Sequence, residues 1–114
     1  MDSTVTVQEV MDREFVGVSE SDDLRETVEL MVAEDAESVL VLRGTDPVGV
    51  LTERDVLERV VDATIDEAAV ADAMGAAPPT VDPDMQLSEA ADLLSTRATQ
   101  RLVVTNDDEP VGVL

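Results

Sequence analysis

The sequence has 114 residues with 27 acidic and 7 basic side chains, a formal net charge of −20, no Cys and no His, and a mean hydropathy of +0.02. That length fits one domain whose halves would each be marginal alone. The lack of Cys excludes disulfides and thiolate metal sites, the few scattered Arg disfavour direct binding of nucleic acid, and no apolar run approaches the ~18 residues of a membrane span.

At 44% hydrophobic residues the chain is too apolar for an acidic disordered tail; with no Cys, no basic, apolar leader at Asp2 to Glu9 and no run of membrane length, a soluble, cytoplasmic protein is expected. All seven basic residues are Arg. So much like charge opposes compaction at low ionic strength, whereas in molar salt the Debye length falls to ~3 Å. The balance is that expected of a halophilic protein from a salt-rich cytoplasm.

In chain order, residues 1–6 read as a loose leader and Val7 to Met11 as a short helical turn with Val7, Val10 and Met11 on its apolar side. Phe15 to Val18 reads as a strand closed by a turn at Ser19 to Asp23. Asp23 with Glu26 resembles a capping box, and Leu24, Val28, Met31 and Val32 follow at helical spacing, so a helix is expected over about 23–34. Ser38 to Leu42 and Val48 to Leu51 read as a hairpin around Gly44-Thr45-Asp46-Pro47. Thr52 then opens a helix with Val56, Leu57, Val60 and Val61 on one face. Residues 62–69 read as a linker. Val70 to Met74, Thr80-Val81, Leu87 to about Thr96, Leu102 to Thr105 and Val111 to Leu114 repeat the order as short helix, strand, helix and hairpin, turning at Asn106 to Glu109.

The repetition is literal in places. Pro47-Val48-Gly49-Val50-Leu51 returns as Pro110-Val111-Gly112-Val113-Leu114, an offset of 110 − 47 = 63 residues. The same ungapped offset matches Val7 to Val70, Met11 to Met74, Val18 to Val81, Leu24 to Leu87, Leu30 to Leu93 and Val41 to Val104. The chain is therefore read as one α/β (α+β) domain over 1–114, with a first repeat at 7–61, the linker at 62–69 and a second repeat at 70–114. Each repeat is a strand, a helix, a hairpin and a closing helix, and the second stops before its closing helix. With no helix to cover Val111 to Leu114, an exposed apolar patch is expected beside that strand.

The order of elements, Val10-Met11 before the first strand, Leu30-Met31 in the helix, Val39 to Leu42 in the hairpin, and above all Gly49-Val50-Leu51-Thr52-Glu53-Arg54-Asp55 resemble the CBS (cystathionine-beta-synthase) domain pair, or Bateman module. The likeness covers nearly the whole chain. Two departures are visible: the family often has Pro in the strand occupied here by Val39-Leu40-Val41, and the second copy has no Thr-x-x-Asp.

The resemblance implies a regulatory module that binds an adenosine-containing ligand, such as AMP, ADP, ATP, S-adenosylmethionine or NAD, in a cleft between the repeats, and modulates an unidentified partner protein. Thr52 and Asp55 would face the ligand, with Asp55 accepting hydrogen bonds from the ribose hydroxyls. The alternative for this pair is a helix cap alone. Phe15, Val16, Ser38 and Val39 would line the adenine slot, or simply be core. Arg13, Arg54, Arg97 and Arg101 are the phosphate candidates, against solvated or paired arginines. Thr99-Gln100-Arg101 occupies in the second copy the place of Ala36-Glu37-Ser38. One competent site per chain is expected.

The resemblance also implies a flat homodimer formed through apolar helix faces; a ligand-free CBS pair serving only dimerisation is the alternative function. An enzyme is not expected, since Lys, His, Cys, a nucleophile elbow and a Gly-rich phosphate loop are all missing. The acidic run Asp107-Asp108-Glu109 lacks calcium-loop spacing and reads as a solvated turn rather than a metal site.

Overall fold

The structure, a computed structural model, describes residues 5–97 and 101–114. In chain order its elements are α1 (Val7–Val10), β1 (Gly17–Ser19), α2 (Leu24–Ala33), β2 (Ser38–Arg43), β3 (Asp46–Thr52), α3 (Glu53–Val61), a 3-10 turn (Ile65–Glu67), α4 (Val70–Ala73), β4 (Gly75–Ala76), β5 (Thr80–Val81), α5 (Leu87–Thr96), β6 (Val103–Asn106) and β7 (Glu109–Val113). They form two compact units, one spanning Val16–Ala77 and the other joining Met1–Phe15 to Pro78–Leu114.

In the Val16–Ala77 unit the strand order is β1-β2-β3-β4, with β1 parallel to β2 and the other pairs antiparallel. β-branched and aliphatic residues make β2 a buried strand, and Val39 and Val41 point into a core with Val18, Leu24, Met31, Leu51, Ala68 and Val70. Helix α2 starts where expected, because the Asp23 carboxylate accepts from the Glu26 amide at 3.1 Å. It buries Leu24, Thr27 and Met31 against the sheet. The stretch 62–69 carries the 3-10 turn and sends Ala68 into the core.

The other unit repeats this plan with β5 parallel to β6 and β6 antiparallel to β7. Its core is Val7, Met11, Val81, Ala90, Leu102 and Val104, with Leu93, Leu94, Val111 and Leu114 packed around it. Even the irregularities recur: the β2/β3 register shifts at Val41/Leu42 and the β6/β7 register at Val104/Thr105. Gly44 takes a positive φ of 66° in the first hairpin turn, and Asp107 takes 52° at the matching place in the second.

Each sheet is completed by the leading segment of the other repeat. Val70 donates its amide to the Asp22 carbonyl and Leu24 to that of Ala68, at 2.9 and 3.0 Å; Val7 donates to Met85 and Leu87 to Val5, at 2.9 and 2.8 Å. Gly75 pairs with Val50 at the edge of β3, and Asp12 pairs with Val113 at the edge of β7. Every one of these partners is related to its counterpart by the 63-residue offset. The glycine of each PVGVL strand permits this closure. A Cβ on Gly49 would lie 2.7 Å from both Met74 Sδ and the Gly75 carbonyl oxygen, and one on Gly112 would lie 2.5 Å from Met11 Sδ.

Three expectations are corrected. Val111, Val113 and Leu114 are half-buried rather than an exposed patch, because Val111 and Leu114 pack on the core and the Asp12 segment lies along that edge, its amide bonded to the Val113 carbonyl at 2.8 Å and its carbonyl to the Val113 amide at 2.9 Å. Val10 is exposed although Val7 and Met11 beside it are buried, since α1 is a single turn that buries only one side. The first strand begins at Gly17, leaving Phe15 and Val16 before it.

Candidate functional site

The end of the first hairpin gathers most of the residues singled out in the first repeat. Ser38 opens β2 directly opposite Thr52, which closes β3, so both stand at one end of the sheet. At Thr52 the chain is still extended, with φ −109° and ψ 166°, and the next residue begins α3. The Thr52 hydroxyl accepts from the Asp55 amide at 3.3 Å and donates to Asp55 Oδ2 at 3.0 Å; the same oxygen accepts from the Thr52 amide at 2.9 Å. This closed capping box satisfies donors that a helix start leaves open. It also fixes the carboxylate. Both Thr52 and Asp55 are partly exposed, and the box engages Asp55 through Oδ2. A partly exposed carboxylate held through one oxygen can accept from a hydroxyl of a small ligand.

Beside this corner the Val16 carbonyl accepts from the Leu40 amide at 2.9 Å, and the Glu37 carbonyl accepts from the Glu53 amide at 3.1 Å. Val16 packs on the core at partial exposure, and Ser38 is half-buried. Val39 is 1% exposed, so its side chain is core and only its backbone could meet a ligand. Phe15 is half-buried and belongs to the other unit.

The arginines are dispersed. Arg54 lies 3.5 Å from Glu58 on the exposed side of α3. Arg13 donates to the Gln8 carbonyl at 3.0 Å, Arg97 caps the exposed end of α5, and Arg101 is half-buried and engaged. Thr99 and Gln100 lie outside the described residues. Among the described residues no three Asp or Glu come close enough to hold a metal ion, and no helix is long and apolar enough to cross a membrane.

Sequence reasoning missed one feature, a groove of about 430 Å3 between α2 and α3 on the Val16–Ala77 unit. The apolar face of α3 was legible, but only Val56 packs on the core, at partial exposure, while Leu57, Val60 and Val61 stay exposed.

The CBS domain family model matches residues 7–62 and again 70–114. An uncharacterized protein of Methanopyrus kandleri is 31% identical over 108 residues, covering 92% of this chain and 55% of its own, so the chain spans about half the length of that curated relative. The CBS domain of a bacterial CNNM/CorC family Mg2+ transporter superposes with a TM-score of 0.88 at 22% identity, over 98% of this chain and 70% of that one. An uncharacterized conserved protein of Pyrococcus horikoshii gives a TM-score of 0.81 at 22% identity, over 100% and 88%. A signal-transduction protein with CBS domains from Burkholderia ambifaria gives 0.78 at 24% identity, over 96% and 87%. At these identities the superpositions speak to fold. With two family matches spanning most of its length and a closed Thr52–Asp55 box at the end of its first hairpin, the chain belongs to the CBS domain family as a tandem pair.

Proposed function

We propose that this CBS pair is a regulatory module sensing an adenosine-containing ligand through Asp55. Domains of this family generally act as regulatory modules, and the observation that carries the finer reading is the fixed, partly exposed Asp55 carboxylate, held through Oδ2. Thr52 holds it, and Ser38, opposite Thr52 across the β2/β3 pair, adds a hydroxyl at the same end of the sheet. AMP, ADP, ATP, S-adenosylmethionine and NAD all present the ribose it would read, and occupancy would act on a partner by shifting the packing of the module. The role is binding, not catalysis.

A thermal-shift panel of these five ligands with adenosine tests the reading, because a ligand that binds only the folded state raises the melting temperature. A ligand found this way should bind Asp55→Asn ten- to over a hundred-fold more weakly, the loss of a charge-assisted hydrogen bond of ~1.5–3 kcal/mol. No shift with any of the six, or unchanged affinity in the variant, would remove it.

The panel belongs in molar KCl, since the −20 charge supports a halophilic protein of the cytoplasm. Helical circular dichroism that stays constant down to tens of millimolar KCl would contradict that.

A second reading, an association module without a small ligand, is favoured by the exposed end of α3, where Val61 is 84% exposed and Val60 53%. A homodimer through that end is the expected assembly. The structures it resembles include a hexameric CBS-CP12 protein from cyanobacteria, with a TM-score of 0.82. Sedimentation at micromolar concentration distinguishes the dimer from a 12.2 kDa species.

A further inference from the structure

We infer that Met74 is a modification site: a peroxide oxidises its thioether to the sulfoxide, which lifts the side chain off Gly49 and frees β4 from the edge of β3. The inference is independent of any nucleoside at Asp55 and of any self-association.

The chain has five Met and no Cys, so thioether sulfur is the group that a two-electron oxidant meets. Accessibility divides these residues. Met11 and Met31 are 8% and 5% exposed, whereas Met74 and Met85 are half-buried. What singles out Met74 is its place. Its amide closes α4 on the Val70 carbonyl at 2.9 Å, and the next residue opens β4, which pairs with β3 through Gly49 with Ala76 and Val50 with Gly75. The Met74 sulfur covers the buried Gly49 so closely that a Cβ there would lie 2.7 Å from Sδ.

In the oxidation a lone pair on Sδ attacks one peroxide oxygen and the O–O bond breaks. The departing hydroxide takes the proton of the transferred hydroxyl and leaves as water, so sulfur loses two electrons and the peroxide gains them. The product is a polar side chain whose new oxygen can only accept hydrogen bonds. Toward β3 that oxygen meets the Gly75 carbonyl oxygen, another acceptor, which lies 2.7 Å from the same point above Gly49. Toward solvent it is hydrated. The oxidised side chain therefore turns outward, and β4, two residues long with both exposed, loses its apolar anchor. β3 is left with an unpaired edge.

The repeat supplies a control. Met11 covers Gly112 in the same way, with Sδ 2.5 Å from a Cβ placed there, but Met11 is buried, and Asp12 after it bonds Val113 through both amide and carbonyl. The chain thus holds an accessible and a sheltered copy of one contact.

The full chain is treated with hydrogen peroxide in molar KCl, digested, and read by mass spectrometry for sulfoxide at each Met. Met74 should oxidise roughly tenfold faster than Met11 and Met31. In the oxidised protein, amide hydrogen exchange should rise across residues 46–52 and 75–77 and stay unchanged across 103–113, and methionine sulfoxide reductases with dithiothreitol should reverse the rise. Met74→Leu, which conserves volume, should abolish the response to peroxide, Met74→Gln should raise exchange in the same residues without peroxide, and Met85→Leu should leave the response intact. Oxidation of Met74 no faster than that of Met11 and Met31, unchanged exchange once Met74 is oxidised, the same response in Met74→Leu, or a response lost in Met85→Leu would overturn the inference.

Discussion

The Val16–Ala77 unit and the unit built from the chain's two ends share backbone bonds nearly atom for atom, yet they use their PVGVL strands differently. In the first, Leu51 is fully buried and the chain continues into Thr52, Asp55 and α3. In the second, the matching Leu114 is half-buried and exchanges backbone bonds with Leu102. The contrast teaches that the exchanged leading segments, α1 on one sheet and α4 on the other, suffice to close a sheet edge. In the first unit the turn from β3 into α3 also fixes a carboxylate, that of Asp55, beside the sheet.

The largest test of this contrast is Leu51→Ala against Leu114→Ala. Emptying the fully enclosed site should cost ~2–5 kcal/mol, and the half-exposed one less than half as much, read as urea midpoints. Equal losses would mean that the second copy packs its last strand as tightly as the first.

Next comes Gly49→Ala against Gly112→Ala, each an overpacking of ~1–3 kcal/mol. Gly49 should be the worse of the two, because its Cβ meets the Gly75 carbonyl oxygen at 2.7 Å, which moves only if β3 and β4 part. At Gly112 the nearest backbone atom is the Asp12 oxygen at 3.1 Å, and the severe contact is with the Met11 side chain. Met11→Ala should therefore relieve Gly112→Ala more than Met74→Ala relieves Gly49→Ala in melting temperature. The reverse order would show that the backbone pairing at β4 is the softer of the two.

These glycines also show what was legible in the sequence. The matches of Gly49 with Gly112 and Met11 with Met74 announced a repeat, and helix and strand patterns placed most elements within a residue or two. Which methionine covers which glycine was invisible, because periodicity specifies an element's buried face and not its partner. β4 was missed because Gly75 and Ala76 have no strand propensity of their own and are extended only by the edge of β3. The absent exposed patch at Val111 to Leu114 has the same origin, since Asp12 pairs there through its backbone. At the site, Thr-x-x-Asp revealed the cap, while the groove beside it depends on how α2 and α3 diverge.

A smaller effect separates capping from ligand contact. Asp55→Ala should destabilise the free protein by about 1 kcal/mol through loss of the capping box. Glu9→Ala removes the similar box in the other unit, where Thr6 donates its amide at 2.7 Å and its hydroxyl at 3.0 Å to Glu9 Oε2. α1 is only one turn long, so the Glu9 effect should be the lesser in thermal melts, and a larger one would place the greater burden on the exchanged segment.

The smallest effect is a gain. Ala63 follows α3 with a φ of 57°, a left-handed conformation that a Cβ opposes. Ala63→Gly should raise stability by ~0.5–1 kcal/mol, and a fall in melting temperature would show that the constraint on the unfolded chain outweighs the relieved strain.

The exchange of leading segments sets an order of events during synthesis. Residues 16–77 are contiguous, so that unit has all its strands and α4 as soon as Ala77 clears the ribosome. Val7 and Met11 emerge earlier than any of them, but their partners Met85 and Gly112 are made only after that unit is complete. Two core residues of one unit thus wait unsheltered while the whole of the other is made.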